Sequence, residues 1–187
     1  MALRLHTAPT LKPVTLAAMQ EHLRTDAGVE ESLINALIDA ATASAEHIMG
    51  RAIMPQKWQL MTDSFDDLAL KMPTVTVVDS VKYFNTSGTL TTLDSSVYQT
   101  VLGSDYEASV QLAYGQSWPE VREQAESVQV IFSTGYADAA SIPAPIIAWI
   151  KLCVGALFAS RELEGDRQTY SLGIADRMLD RYKVYAL

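Results

Sequence analysis

The residues able to do chemistry are few and scattered. His6, His22 and His47 all fall in the first quarter of the 187-residue chain. None has a second His or Cys at metal-ligand spacing, so each reads as a surface or packing histidine, since zinc needs several such ligands converging. Cys153, the one cysteine, sits in the middle of the most apolar stretch, with Lys151 as its nearest base and on another helix face. A thiol so placed behaves as a small hydrophobe and not as a nucleophile. Gly115-Gln116-Ser117-Trp118-Pro119 begins like a Gly-x-Ser-x-Gly nucleophile elbow, but Pro119 stands where the second glycine belongs and forbids the tight strand-to-helix turn. Asp66-Asp67, after Phe65, reads as a solvated turn and not as a general acid–base pair. There is no P-loop and no Gly-x-Gly-x-x-Gly. The expectation is a protein without catalytic residues, cofactor or metal.

Contact chemistry is better represented. Trp58, Tyr114 and Trp118 are of the types that stack on sugars or other small ligands, and equally of the types that fill a core. Near the chain's end, Met178, Leu179, Tyr182 and Tyr185 share one side of a helix expected from about Ile174 to Tyr185. Arg177, Asp180, Arg181 and Lys183 lie mostly elsewhere on it. Such a helix either caps its own bundle or lies in a groove on another protein, where Tyr, Met and Arg are favoured. The stretch Glu164–Gln168 before it permits either. Arg177, Met178, Arg181, Tyr182 and Tyr185 are therefore the candidate partner-binding residues.

The elements that position these residues can be read from periodicity. Thr15, after Pro13, is a candidate N-cap for a short helix to Arg24. After Gly28, the residues Val29, Leu33, Ile34, Leu37, Ile38, Ala41, Ala45 and Ile48 keep the 3.6-residue period until Gly50, the natural stop. Between Ile53 and Thr134 the period shortens to two: Trp58, Leu60 and Thr62, then Val81 and Tyr83, then Val128, Val130 and Phe132. Asn85-Thr86-Ser87-Gly88 supplies a turn. These are strands of a small antiparallel sheet or barrel. Beyond Gly135 a helix opens at Pro143 or Pro145 and runs to about Leu163, so apolar all round that it should be covered on every side. The expected fold is α+β: a bundle of about four helices with a small antiparallel β insertion between the second and third. In this division residues 1–52 hold the N-terminal helices, 53–135 the insertion, and 136–187 the helices completing the bundle.

Composition narrows the function. Hydrophobic residues make up 49% of the chain and charged residues 19%, which excludes disorder as its main state. The net charge of −8 argues against a protein that wraps nucleic acid, because that affinity comes from Lys and Arg displacing counterions. The charge is uneven: residues 1–50 carry 3 basic and 6 acidic side chains, residues 51–135 carry 5 and 10, and residues 136–187 carry 6 and 6. The first 13 residues lack the apolar run of a signal peptide, and Ile142–Ala159 is interrupted by Lys151, so neither secretion nor a membrane span is expected.

Several strings then share an order: PVTLAAMQEHLRTD at Pro13–Asp26, LINALIDAATASAEHIMGR ending at Arg51, PQKWQL, VKYFNTSGTLTTL, YGQSWP at Tyr114–Pro119, and ESVQVIFSTGYADAASIPAPI at Glu126–Ile146. Together they resemble the head-tail connector (adaptor) proteins of tailed bacteriophages, prophages and gene transfer agents, over about Pro13 to Glu162. The resemblance implies a structural virion protein without catalytic residues. It would assemble as a ring of about a dozen copies under the portal at the capsid vertex, leave a channel for double-stranded DNA, and offer a docking surface to the stopper or tail. Assembly would take place in the host cytoplasm. Such a ring needs a segment that grips the portal, for which the amphipathic C-terminal helix, beyond the resembling stretch, is the candidate. Its channel must not hold phosphates, so acids of the first two-thirds are expected to contribute to the channel wall. The competing readings are another head-completion, stopper or tail-completion protein, a carbohydrate- or small-molecule-binding module using Trp58, Tyr114 and Trp118, and a hydrolase.

Overall fold

Local signals decide where the helices begin and end. In the computed structural model, which describes residues 1–102, 107–160 and 177–184, helix α1 spans Leu16–Leu23. Thr15 caps it by accepting the Ala18 N–H at 3.2 Å, and Arg24 closes it in the left-handed region. Helix α2, Glu31–Met49, ends where Gly50 adopts φ +68° and donates its N–H to Glu46 O at 2.8 Å. Helix α3, Ala144–Ala159, starts with proline in its first turn, where the missing N–H costs nothing.

The chain divides into two compact units, one of residues 11–54 with 136–187 and the other of residues 1–10 with 55–135. In the helical unit, Ile34, Ile38, Ala41 and Ala45 of α2 meet Ile146, Trp149, Ile150 and Val154 of α3, with Met19 of α1 beneath them. The segment between α2 and the crossing at Met54 is tied down by polar contacts. Glu46 accepts the Ile53 N–H at 2.7 Å, the Tyr136 N–H donates to Ile53 O at 2.9 Å, and the buried Arg51 reaches the Tyr136 hydroxyl at 3.4 Å.

The second unit is built on a five-stranded antiparallel sheet of order β1-β2-β7-β3-β4: Ala2–Thr7, Gln56–Thr62, Val128–Thr134, Val75–Phe84 and Leu90–Thr92. In its centre Trp58 lies opposite Phe132, Leu60 opposite Val130, and Val130 opposite Val81, so one face carries the apolar partners. The other face is polar: Lys57 pairs with Asp79 at 2.5 Å, Asp79 accepts from Ser133 Oγ at 2.7 Å, and Gln59 donates to Gln129 at 3.0 Å. A two-stranded ladder, β5 (Tyr98–Val101) and β6 (Ser109–Leu112), joins the apolar face's core through Val110, Ala108 and Leu70.

This corrects the expected architecture. Among the described residues there are three α-helices, not a bundle of about four, and the strands form a unit with its own core, not a small insertion. Two features conceal the sheet in the sequence. Strand β3 carries two register irregularities, between Val75 and Val77 and between Val78 and Ser80, which break its period-two pattern. Strand β1 comes from the first residues, outside the stretch where strands were expected. Nor is α3 covered on all sides, since Leu152 and Leu157 are 39% and 42% exposed.

Candidate functional site

The residues expected to meet a partner lie at the chain's end, where the described segment is Arg177–Val184. It holds one 3-10 turn, Asp180–Tyr182. Leu179 is fully buried in the helical core, and Met178 and Tyr182 are half-buried against that core. The Val184 N–H donates to Met49 O at 2.8 Å, so the segment runs along the C-terminal end of α2. Lys183 pairs with Asp180 at 2.6 Å, while Arg177, Asp180 and Arg181 face solvent. Of the five candidates, two are arginines on the surface and two, Met178 and Tyr182, are partly engaged by the chain's own core. Tyr185 lies outside the described residues, as do the first three residues of the helix expected from Ile174.

The residues weighed for catalysis do not converge. His6, His22 and His47 are exposed. Among the described residues, no three His, Cys, Asp or Glu side chains gather as a metal site. Burial pushes the Cys153 thiol up from its ordinary value, which lowers the fraction of reactive thiolate. Asp66 accepts from Ser64 Oγ at 2.7 Å and Asp67 from the Ala69 N–H at 3.2 Å, so both acids serve their own turn. Among the described residues, no helix is long and apolar enough to cross a membrane.

The three aromatics weighed for ligand stacking are also dispersed. Trp118 lies flat on Phe65, with ring centroids 4.5 Å apart and planes 3° apart, and Trp58 packs into the sheet's core. Tyr114 is fully exposed by itself. The Phe65–Trp118 stack belongs to one end of the sheet, where the chain after β2, the β3–β4 turn and the approach to β7 come together. There the Glu126 N–H donates to Asp63 at 2.8 Å and the Arg122 N–H to Phe84 O at 2.9 Å. The Arg122 guanidinium lies over Gly88 in the turn. Asp63, Asp66, Asp67, Glu120, Glu123 and Glu126 all belong to these segments, and the first two-thirds of the chain thus gathers six acids at one end of the sheet. The sequence marks Asp66-Asp67 as a turn and its acids as candidates for a channel wall. It does not show that these six share one end of the sheet, because the register that brings Thr62 opposite Val128 is a tertiary fact.

No family model and no curated protein matches the sequence. Solved structures do match in fold. A chain from the neck of an empty GTA particle, computed with C6 symmetry, superposes with a TM-score of 0.81 at 18% identity, covering 100% of this chain and 97% of that one. A chain from the virion of a native gene transfer agent (GTA) particle gives 0.79 at 19% identity with the same coverage. A third, from the neck of a native GTA particle computed with C12 symmetry, gives 0.78 at 18%, again with the same coverage. The fold of this chain is that of gene-transfer-agent particle chains from end to end, in agreement with the resemblance carried by its sequence strings.

Proposed function

We propose that this chain is a structural protein of a virion neck: a head-tail connector subunit that closes into a ring under the portal, leaves a channel for double-stranded DNA, and offers a docking surface to stopper or tail. The observation that carries the reading is the full-length likeness to neck chains, one of them from a particle computed with C12 symmetry.

The charge suits such a role. Twelve copies of a subunit at −8 make a strongly acidic ring. Acids on an inner wall repel phosphates within a Debye length, about 8 Å at physiological salt, and offer no Lys or Arg to displace counterions. DNA then passes without being held. The neutral C-terminal third, including Arg177 and Arg181, is the part assigned to the portal.

The test is to mix the purified protein with portal rings and measure the mass of the complex by sedimentation. A gain of about twelve subunits per portal is expected from the ring. A portal whose mass does not change would remove the reading.

A further inference from the structure

One aromatic side chain of the strand unit is kept out of its core. Trp58, Phe65, Tyr83, Tyr98, Trp118 and Phe132 lie in that core or against it, whereas Tyr114 is fully exposed. A single exposed aromatic means little by itself, but this one is held out by a fixed turn. The Gln116 N–H closes the turn on Ala113 O at 3.1 Å, and Gly115, φ +74°, takes the position where a type II turn requires a positive φ. On one side the Ala113 N–H is tied to Val97 O at 2.9 Å, and on the other Trp118 is stacked on Phe65. Nothing lies within 4 Å of where a Cβ on Gly115 would stand, so the tip is clear of the rest of the chain.

The same unit holds a cleft of about 470 Å³ lined by Thr86, Glu120, Val121, Arg122 and Glu123. Its wall is fixed by hydrogen bonds: the Arg122 N–H donates to Phe84 O at 2.9 Å, and Ser127 Oγ to Arg122 O at 2.6 Å. Among the described residues, neither Arg122 nor Glu120 nor Glu123 has an ion-pair partner. This set of groups suits a phenol. A guanidinium stacks on an aromatic face, a carboxylate accepts the phenolic O–H, and Val121 supplies an apolar wall.

We infer that Tyr114 of one copy seats in this cleft of the next copy, and that the contact repeats around the ring. The inference rests on the ring reading above and names a contact that closes it. Both halves are on this one chain, and Tyr114, being fully exposed, does not fill the cleft of its own copy. A protruding side chain and a cleft at different places on one subunit make a heterologous contact, which is what a head-to-tail ring requires. The fixed turn also limits the freedom lost when the side chain docks.

The experiment places the photocrosslinker p-benzoylphenylalanine at position 114 of the full chain. The protein is assembled on the portal and irradiated, and the products are read on a denaturing gel and by mass spectrometry. A ladder of dimers, trimers and higher species is expected, with the crosslink mapped to Thr86 or to Glu120–Glu123 of another copy. Crosslinks that stop at dimers, stay within one chain or lead to the portal would overturn the contact. Rings seen by electron microscopy without any crosslink would overturn it too, and leave the ring reading standing. Absence of rings for the parent chain would remove both. Separately, Tyr114→Ala should leave the monomer's thermal unfolding unchanged, since the side chain is fully exposed, and lower ring yield about tenfold or more. Tyr114→Phe, which keeps the aromatic face and loses the hydroxyl, should recover most of that yield. An undiminished yield with Tyr114→Ala contradicts the inference.

Discussion

Gly88 shows how single residues hold the strand unit's turns. Its φ is +83°, and a Cβ there would lie 2.2 Å from the Nη1 of Arg122. The second problem is mild, because the guanidinium is the far end of a flexible side chain and can swing away, but the first is not, since side chains disfavour that backbone region. Gly88→Ala should therefore destabilise the protein by about 1 kcal/mol in urea unfolding, and Arg122→Ala should not rescue it. Asp138 acts through charge. Its carboxylate accepts from Ser141 Oγ at 2.6 Å and from the Ser141 N–H at 2.8 Å, and these bonds hold its pKa below the ordinary 3.8. A lowered folded-state pKa means that the contribution is complete above the ordinary value and is lost as pH falls through the lowered one. The Tm difference between wild type and Asp138→Ala should thus be present at neutral pH and close as the pH falls below 3.8. An unchanged difference across that range would show that the two hydrogen bonds do not depend on the charge. The turn at Asn85–Gly88 was legible in the sequence because its residue types are those a turn demands. The Arg122 contact was not, since 34 residues separate the partners and no local pattern links them.

Among the elements, the helices were the easiest to read. Helix α2 repeats its apolar residues without interruption, and both its stop at Gly50 and the Thr15 cap of α1 carry their own chemistry. Strand β1 was missed although Leu3 and Leu5 alternate with Arg4 and His6, because six residues at a chain end are too few to distinguish an edge strand from an irregular terminus. The C-terminal segment shows a different limit. Periodicity identified Leu179, Met178 and Tyr182 as one apolar face but not what covers that face, and in the structure the helical core covers most of it. This separates two roles within a few residues. Leu179→Ala should lower stability by about 2–5 kcal/mol in urea unfolding, since it empties a fully buried site. Arg177→Glu with Arg181→Glu, both on the surface, should weaken portal binding about tenfold or more in a pull-down titration. Portal binding unaffected by the double charge reversal would take these arginines out of the contact.

For the whole molecule, the succession from α2 through the strands to α3 could be read from the sequence, but not the N-terminal strand or the proportions of the two units. A strand unit with a separate core is invisible to periodicity, which reports how each segment is buried and not how many cores result. On the proposed reading, the net charge of −8, first an argument against wrapping DNA, would become a property of an assembly when about twelve copies close round one axis. The central claim is that closure. Electron microscopy of the purified chain mixed with portal tests it most directly. The account predicts closed rings of about twelve subunits, seated coaxially on the portal round an open channel whose wall carries more acids than bases. A chain that remains monomeric beside bare portals would contradict it.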